Sequence, residues 1–472
     1  MVARYISLAH RLGQSIQDGV IRPGERLPSL RMLCANEGVS LMTALAAYRR
    51  LEDTGLVEAI PRSGYRVNPP AGPGPVRAPA VRSRLVAHSR ERDDIVNQVL
   101  AAVADPDLEP LGLGCPTPDH YPLAALRRRT GQLLAAHPEI WTIYSPPPGD
   151  PELRRQIARR LQARGLEVGP AEVLVTTGAS EALALAMRVL LAPGEIVAVP
   201  CPTFFGILDA ARGAGARVLE FPEGPDGAEP AAFLKAAGRT PPKAVALVPS
   251  FSNPTGFLMG PERRAEWIEA LHRRGVALIE DDLYGDMAFD GVKPGPMMAL
   301  AKPDGPPCFL VGGFSKTLVP GGRVGFIVAR SPWIERLTAL KRALTLANAT
   351  LAERLVAQCL TSGLYERHLR RLVPDLFQSV QALRQQVSRH FPAGTRLSTP
   401  RGGFALWVEL PEGSDSLRLF HAAAGAGISI APGPMFSLGH GLERFLRLNG
   451  GGTLRREDTL ARLGRLAKDS PD

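Results

Sequence analysis

The hydrophobic positions along the chain change their period twice, and these changes divide it into regions. Within residues 1–67, apolar side chains recur at helical spacing in three stretches, and two short apolar runs follow. Between about residues 93 and 370, apolar β-branched runs alternate with helical patterns. This alternation indicates a mainly parallel sheet with helices on both faces. Residues 371–472 mix a helical pattern with alternating runs, which predicts a small α+β domain.

Capping signals mark the helices of the first region. Ser29 and Ser40 stand where N-caps of the second and third helices are expected. Residues 56–60 and 64–67 then predict two short strands around Pro61-Arg62-Ser63. Three helices followed by a hairpin predict a winged helix-turn-helix.

The larger region predicts a sheet of seven strands, at 173–176, 196–200, 218–221, 244–249, 276–280, 309–312 and 325–329. In the last region we expect a helix over 380–391 and strands at 402–410, 428–432 and 445–448. Ligands of mainly parallel sheets bind beyond the carboxyl ends of the strands. Conspicuous polar motifs follow these strands, so we expect a site at that edge.

Residues 68–92 separate the two regions. They are rich in proline, glycine and arginine and show no apolar period. Such a composition predicts a semi-stiff, extended tether. We therefore expect the regions on either side of this tether to be separate domains that move relative to each other.

Charge and composition narrow the class of protein. The 472 residues carry a net charge of +10, and residues 1–92 hold 14 Arg against 7 Asp and Glu. This excess favours a polyanionic partner, although a solvated basic surface remains open. No apolar run reaches the roughly 18 residues of a membrane span. The five scattered cysteines predict a reducing cytoplasm and no metal site.

One lysine lies in an unusual setting. The chain has only seven lysines among its 56 basic residues, and Lys316 lies between a predicted strand and the glycine-rich turn 321–325. An amine can lose its proton and condense with an aldehyde, whereas a guanidinium cannot. Arg323, seven residues on, could hold a phosphate. From the residues alone, an ordinary surface lysine remains equally open.

Residues 1–67 resemble the DNA-binding domain of the GntR family. The resemblance rests on residues 19–31, on Val39-Ser40 with Thr43 and Tyr48, and on Gly64-Tyr65. It implies a recognition helix that opens in the major groove and a wing beside it. The residues that it implies in DNA contact are Ser29, Arg31, Ser40, Met42, Thr43, Arg62 and Gly64. Met42 replaces a commonly polar residue, so base readout there is expected to be weak or apolar.

Residues from about 108 to 465 resemble the fold type I, aspartate aminotransferase-like family, which binds pyridoxal phosphate. The resemblance rests on an ordered set of motifs at 177–181, 200–205, 249–256, 280–284 and 312–325. It implies an internal aldimine on Lys316, Asp281 on the pyridinium nitrogen, and Asn253 and Tyr284 on the ring hydroxylate. Phe204 would cover the ring. Phosphate ligands would be Gly178, Ala179, Ser180, Ser315 and Arg323. Asp282 could replace Asp281, but Asp281 keeps the family's spacing to Tyr284.

Two further residues gain roles from the same resemblance. Tyr144, in the motif 144–154, would reach the phosphate of a neighbouring subunit, which implies a homodimer with shared sites. Arg447 lies in an apolar strand and would bind the α-carboxylate of an amino acid. A structural ion pair of Arg447 is the alternative.

The two resemblances together are those of the MocR subfamily of regulators. They imply a regulator that binds half-sites in double-stranded promoter DNA and senses a small amino compound through pyridoxal phosphate. A working aminotransferase with a DNA-binding appendage remains open. So does a regulator that senses pyridoxal phosphate itself.

Overall fold

The computed structural model describes residues 4–17, 21, 24–54, 56–60, 64–67, 74–79, 81, 83–86, 89–224, 227–239, 241–452 and 454–469. They form two compact units, Met1–Pro73 and Gly74–Asp472. No helix within these ranges has the length and hydropathy that a bilayer span requires.

The first unit contains three helices and a two-stranded antiparallel hairpin, as the sequence predicts. Its elements are α1 (Arg4–Gln17), α2 (Leu30–Glu37), α3 (Leu41–Asp53), β1 (Val57–Ile60) and β2 (Gly64–Val67). Ser29 and Ser40 accept the N–H groups of Met32 and Thr43, both at 3.2 Å, so both predicted caps are confirmed. Tyr48 is buried in the core of this unit and donates to the carbonyl of Pro28 at 2.7 Å.

The second unit alternates strands with helices. Its strands are β3 (Arg84–Val86), β4 (Val173–Thr177), β5 (Ile196–Cys201), β6 (Arg217–Gly224), β7 (Gly227–Ala228), β8 (Ala244–Leu247), β9 (Ala277–Asp281), β10 (Cys308–Gly313), β11 (Val324–Val328), β12 (Arg396–Leu397), β13 (Ala405–Glu409), β14 (Ala431–Pro432) and β15 (Phe445–Asn449). Its helices are α4 (Arg90–Ala104), α5 (Leu123–Ala136), α6 (Pro151–Gln162), α7 (Gly178–Leu190), α8 (Phe205–Gly213), α9 (Pro230–Ala237), α10 (Pro261–Arg274), α11 (Trp333–Leu344), α12 (Thr350–Thr361), α13 (Leu364–His390), α14 (Ser416–Gly425) and α15 (Thr459–Lys468).

The large sheet has the order β3-β6-β5-β8-β9-β10-β11-β4, and β7 pairs with β6. Strands β6, β5, β8, β9 and β10 run parallel, whereas β11 is antiparallel to β10 and to β4. All seven predicted strands are present, and β3 and β7 add to them. The small sheet, β12-β13-β15-β14, is antiparallel and contains the strands expected near residues 405, 430 and 447.

Part of the predicted tether belongs to the second unit, which corrects its predicted end at residue 92. The carbonyl of Gly74 accepts the N–H of Leu397 at 3.1 Å, and the N–H of Arg77 donates to Glu409 Oε2 at 2.7 Å. Residues 84–86 form the edge strand β3, antiparallel to β6. Prolines lack an N–H donor, but their carbonyls can accept hydrogen bonds and their rings can pack. A proline-rich segment without an apolar period can therefore still bind to the second unit.

The division between large and small domains also differs from the prediction. Ile95, Val96 and Val99 of α4 belong to the apolar core that contains Leu383 and Trp407, although Arg92 of the same helix pairs with Asp209 of the large domain at 2.7 Å. Helix α4 therefore packs with both domains and not with the large one alone. Helix α13 runs without interruption across the predicted boundary at residues 370 and 371. The apolar face of each helix determines the domain against which it packs, and this domain cannot be read from the order of the helices in the chain.

Candidate cofactor site and DNA-binding face

The carboxyl edge of the large sheet gathers the predicted site residues. Strand β9 ends at Asp281, β10 ends two residues before Ser315, and β4 ends at Thr177 before helix α7. Asp281 lies opposite Val311 in the register of β9 and β10, so its side chain and Lys316 belong to neighbouring strand ends.

A candidate anion site lies where β4 passes into α7. Gly178 has φ 75°, and a Cβ there would lie 2.4 Å from the guanidinium of Arg323. A Cβ on Gly325 would lie 2.4 Å from the carbonyl carbon of Gly178. Only glycines let Arg323 approach the N-terminus of α7 this closely, and Arg323 Nη1 also contacts Ser315 Oγ at 3.4 Å. Helix N–H groups and a guanidinium together suit a phosphate.

Two further predicted phosphate ligands lie in the first turn of α7. Ala179 is partly buried and Ser180 is exposed, so the hydroxyl is open to a ligand. Their roles as ligands stay predictions.

The Lys316 amine is held by a neutral group. Nζ donates to the carbonyl of Gly114 at 2.6 Å. Burial lowers the pKa of Lys316, and Arg447 and Arg323 lower it further, whereas Cys115 and Asp281 act in the opposite direction. A lysine amine in this setting loses its proton more readily than one in water, which is what a nucleophile requires.

The buried carboxyl of Asp281 lacks a strong ionic partner. Burial raises its pKa to about 7, although the N–H of Leu283, at 3.2 Å, stabilises the charged form. Asp282, the alternative, forms a buried ion pair with Arg164. Asp281 is therefore the carboxyl that remains available for a cationic ring nitrogen.

Asn253, Tyr284 and Arg447 form one buried polar cluster. Asn253 Nδ2 donates to the Tyr284 hydroxyl at 3.3 Å, and Arg447 Nη1 donates to Asn253 Oδ1 at 3.0 Å. Arg447 Nη2 donates to the carbonyl of Gly112 at 2.6 Å, while its buried Nε has no partner among the described residues. Burial lowers the pKa of Arg447. No ion pair joins Arg447 to a carboxylate in these ranges, so its charge is left for a ligand.

Phe204 and Tyr144, the two aromatic residues of the predicted site, lie in different surroundings. Phe204 precedes α8, is partly buried, and packs against Phe205 with ring centroids 4.7 Å apart. Tyr144 is 78% exposed, and Trp141 and Ile143 beside it are exposed too. The roles of Phe204 as a ring cover and of Tyr144 as a contact to a second subunit stay predictions.

Sequence reasoning missed the segment that closes the site. Gly112 and Gly114 supply the carbonyls that accept from Arg447 and Lys316, and the Tyr121 hydroxyl donates to the Ser315 carbonyl at 3.3 Å. A Cβ on Gly112 would lie 2.9 Å from the backbone of Ile430, so the small domain approaches closely here. The paired glycines of Gly112-Leu113-Gly114 were the available signal.

A second lysine was also missed. Lys341 is completely buried, and its Nζ lies 2.7 Å from Glu181 Oε2. Glu181 also accepts the N–H of Thr177 at 2.6 Å, so this ion pair anchors the turn between β4 and α7. No local pattern marks Lys341, because its partner lies far away in sequence.

The predicted DNA-contact residues of the first unit fall into two groups. Ser29 and Ser40 are the N-caps of α2 and α3, and Thr43, in the first turn of α3, has its Oγ1 2.9 Å from Ser40 Oγ. The side chains of Arg31 and Met42 project from the same two helices into solvent, Met42 being 72% exposed.

The remaining predicted contacts belong to the wing. Gly64 is exposed at the start of β2, whereas Arg62 lies outside the described residues. An exposed first turn on the third helix, beside a hairpin, is the arrangement of a winged helix-turn-helix.

These features fit pyridoxal phosphate. The N-terminus of α7 with Arg323 suits its phosphate, Asp281 suits its ring nitrogen, and Lys316 suits its aldehyde. The mainly parallel sheet, in which β11 runs antiparallel between β10 and β4, defines a fold type I aminotransferase-like unit. The same chain carries a winged helix-turn-helix.

Comparison with known proteins agrees with this class. The family model described as aminotransferase class I and II matches residues 109–462, and the model of bacterial regulatory proteins of the gntR family matches residues 4–67. The HTH-type transcriptional regulator YdcR of Escherichia coli is 35% identical, over 99% of each chain. The 2-aminoadipate transaminase of Thermus thermophilus is 32% identical, over 79% of this chain and 93% of that protein.

A solved structure shows the same fold. The α-aminoadipate aminotransferase LysN of Thermus thermophilus, complexed with N-(5'-phosphopyridoxyl)-L-leucine, matches with a TM-score of 0.73 and 31% identity, over 79% of this chain and 94% of that one. The chain therefore belongs to the MocR-type subfamily of GntR regulators, in which a winged helix-turn-helix is fused to a class I and II aminotransferase domain. Pyridoxal phosphate is the cofactor of this domain family.

Proposed function

We propose that the chain is a transcriptional regulator whose second unit holds pyridoxal phosphate on Lys316 and responds to a small amino compound, while its first unit binds promoter DNA. The observation that carries the proposal is the gathering of Lys316, Asp281 and Arg323 at one sheet edge, in a chain that also bears a DNA-binding head.

When bound, the cofactor supplies an aldehyde that amines attack and a ring that withdraws electrons. The residues of this chain position and charge that site. Lys316 offers an amine of lowered pKa, and Asp281 offers a carboxylate for a ring cation. Arg447 offers two N–H donors for a carboxylate, once these donors exchange their present acceptors, Asn253 and the carbonyl of Gly112, for the ligand.

A ligand at this site acts on two parts of the second unit together. Arg447 belongs to β15 of the small sheet, whereas Asp281 ends β9 of the large sheet and Lys316 follows its strand β10. Glu409, at the end of the adjacent strand β13, accepts the N–H of Arg77 at 2.7 Å. Movement of the small sheet would therefore reach the segment that leads towards the first unit. Such a change shifts the population of states that bind DNA.

We also propose a homodimer. Trp141, Ile143 and Tyr144 form an exposed apolar patch that a second copy would cover. A dimer presents two DNA-binding heads, which suits two half-sites in promoter DNA.

Two measurements on the full chain test the proposal. Titration with pyridoxal phosphate is expected to give a visible absorption band that Lys316→Gln lacks and that Lys302→Gln, at an exposed lysine, retains. Fluorescence anisotropy with the neighbouring promoter fragment is then expected to show that an added amine shifts DNA affinity only in proteins that hold the cofactor. DNA affinity that follows cofactor occupancy alone would favour direct sensing of pyridoxal phosphate.

A second candidate function is a working aminotransferase. The lowered pKa of Lys316 supports it, because this amine could accept and return a proton during a half-reaction. Steady-state turnover with pairs of amino acid and keto acid separates the two: rapid turnover supports the enzyme, and slow or absent turnover supports the regulator.

A further inference from the structure

A separate cavity of about 270 Å³ lies in the second unit, between the large domain, the small domain and residues 75–79. Glu223 and Phe257 line it from the large domain, and Thr399 and Trp407 line it from the small domain. At about 30 Å³ for each water molecule, its volume equals roughly nine waters. That is slightly below the roughly 300 Å³ at which the usual size range of small-molecule sites begins, so only a small ligand fits. The cavity can therefore hold a small organic ligand.

Glu223 gives the cavity its chemical character. It is only 5% exposed, and its Oε2 has no hydrogen-bond partner among the described residues. Burial raises its pKa to about 8, although a hydrogen bond from Thr255 lowers it. Arg77 also lines the cavity, but no ion pair joins it to Glu223 within the described ranges. A buried carboxylate with an unpaired oxygen is costly unless a hydrogen-bond donor reaches it.

Residues 75–79 form one wall of the cavity, and this tether wall is attached to the small domain. The N–H of Arg77 donates to Glu409, and Arg396 Nη1 contacts the carbonyl of Pro75 at 3.4 Å. Glu223 lies at the end of β6 in the large sheet. An occupant would therefore contact the large domain and the tether wall at once.

The cavity is distinct from the cofactor site. A much smaller void, of about 10 Å³, is lined by both Glu223 and Asn253 and so lies between the two. Neither Lys316 nor Asp281 nor Arg323 lines the larger cavity. An occupant there would not need to react with the cofactor.

We propose that this cavity is a second ligand site, which takes a small organic cation with its ammonium group at Glu223 and its apolar part between Phe257 and Trp407. The site does not depend on the proposed regulatory function. It requires only the folded second unit.

Protonated N,N-dimethylbutylamine is a suitable probe, because a tertiary amine donates one hydrogen bond yet cannot condense with the cofactor's aldehyde. Isothermal titration of the cofactor-loaded full chain is done at a pH of about 9. This lies above the pKa of about 8 of Glu223 and below the ~10 of an alkylamine. N,N-dimethylbutanamide, which is uncharged, is the matched ligand control and is expected to bind at least tenfold more weakly.

Three variants test the assignment. Glu223→Gln keeps the shape but removes the charge, and is expected to weaken probe binding roughly 10- to 100-fold, as for a lost hydrogen bond to a charged group. Glu412→Gln, at a side chain that is 83% exposed, is expected to change nothing. Ala78→Leu fills the cavity from the tether wall without changing charge, and is expected to weaken binding too.

The outcomes are decisive in both directions. Absence of binding to the wild type, equal binding to Glu223→Gln, or equal weakening by Glu412→Gln overturns the site. If Glu223→Gln does not hold the cofactor and so is misfolded, Ala78→Leu decides the question in the same way. Hydrogen exchange of a peptide that covers residues 74–81 is expected to slow when the probe binds, and unchanged exchange there would remove the tether wall from the site.

Discussion

Replacement of Arg447 by glutamine tests whether the second unit recognises a carboxylate. Arg447 is 3% exposed and donates to Asn253 and to the carbonyl of Gly112. Glutamine retains an amide donor and similar bulk, but it carries no charge. The variant therefore removes mainly the attraction between Arg447 and a ligand anion.

The expected loss can be worked from the contacts. A hydrogen bond to a charged group contributes about 1.5–3 kcal/mol, which is a factor of roughly 10 to 100 in affinity. Spectroscopic titration of the cofactor-loaded chain with L-alanine, and in parallel with ethylamine, isolates the carboxylate because the second compound lacks it. The preference for L-alanine over ethylamine is expected to fall by this factor in Arg447→Gln.

Stability provides the second readout. No carboxylate pairs with Arg447 among the described residues, so its loss should reduce the free energy of unfolding by less than about 2 kcal/mol. Breaking a buried ion pair would cost about 3–5 kcal/mol. Arg401→Gln, at an exposed arginine, is the control. An unchanged preference for L-alanine, together with a large loss of stability, would show that Arg447 is structural.

Three further outcomes are expected. Arg31→Gln should weaken binding to every DNA sequence alike and should reduce the slope of log affinity against log salt concentration by about 1. Fluorescence anisotropy at several salt concentrations measures this slope. An unchanged slope would show that Arg31 does not contact a phosphate. Lys341→Gln should lower the free energy of unfolding by about 3 kcal/mol or more, because it leaves the Glu181 carboxylate without its ionic partner. The control Lys302→Gln, at an exposed lysine, should change it by no more than about 0.5 kcal/mol in the same denaturant titration. Equal effects of the two substitutions would contradict the ion pair between Lys341 and Glu181. The raised pKa of Glu223 means that the unfolded chain releases this proton first, so wild-type stability falls as pH rises from about 4.5 to about 8. Glu223→Gln has no carboxyl to titrate, so the difference between its thermal unfolding midpoint and that of the wild type should shift in favour of the variant from pH 5 to pH 8. A constant difference over this pH range would refute the raised pKa of Glu223.

The features that the sequence predicts well are those with local causes. The strands from β4 to β11 that carry continuous apolar runs are found where the runs stand, because full burial leaves no polar alternation. Ser29 and Ser40 cap the helices that they precede, because capping acts over three residues. The order of polar motifs after the strands predicts that Asp281 and Lys316 lie at neighbouring strand ends, because parallel strands share one carboxyl edge.

The features that the sequence does not predict depend on distant partners. Strand β3 has no signal of its own, since three residues join the sheet only because β6 offers a free edge. Helix α4 follows the tether in the chain yet contributes to the apolar core that contains Trp407 of the small domain. The carbonyls of Gly112 and Gly114 enter the cofactor site through backbone geometry, which side-chain motifs cannot reveal.

Two lysines of the second unit show why only one of them is suited to the cofactor. Lys341 is completely buried, and its Nζ is already bound to a carboxylate oxygen of Glu181 at 2.7 Å. Lys316 Nζ has the neutral carbonyl of Gly114 at 2.6 Å, and Arg447 and Arg323 lower its pKa further. Borohydride reduction after incubation with pyridoxal phosphate, followed by peptide mapping, is therefore expected to label Lys316 and to leave Lys341 unmodified. Label on Lys341 in the folded chain, or on exposed lysines to the same extent as on Lys316, would show that a lowered pKa and a buried setting do not select the reactive amine.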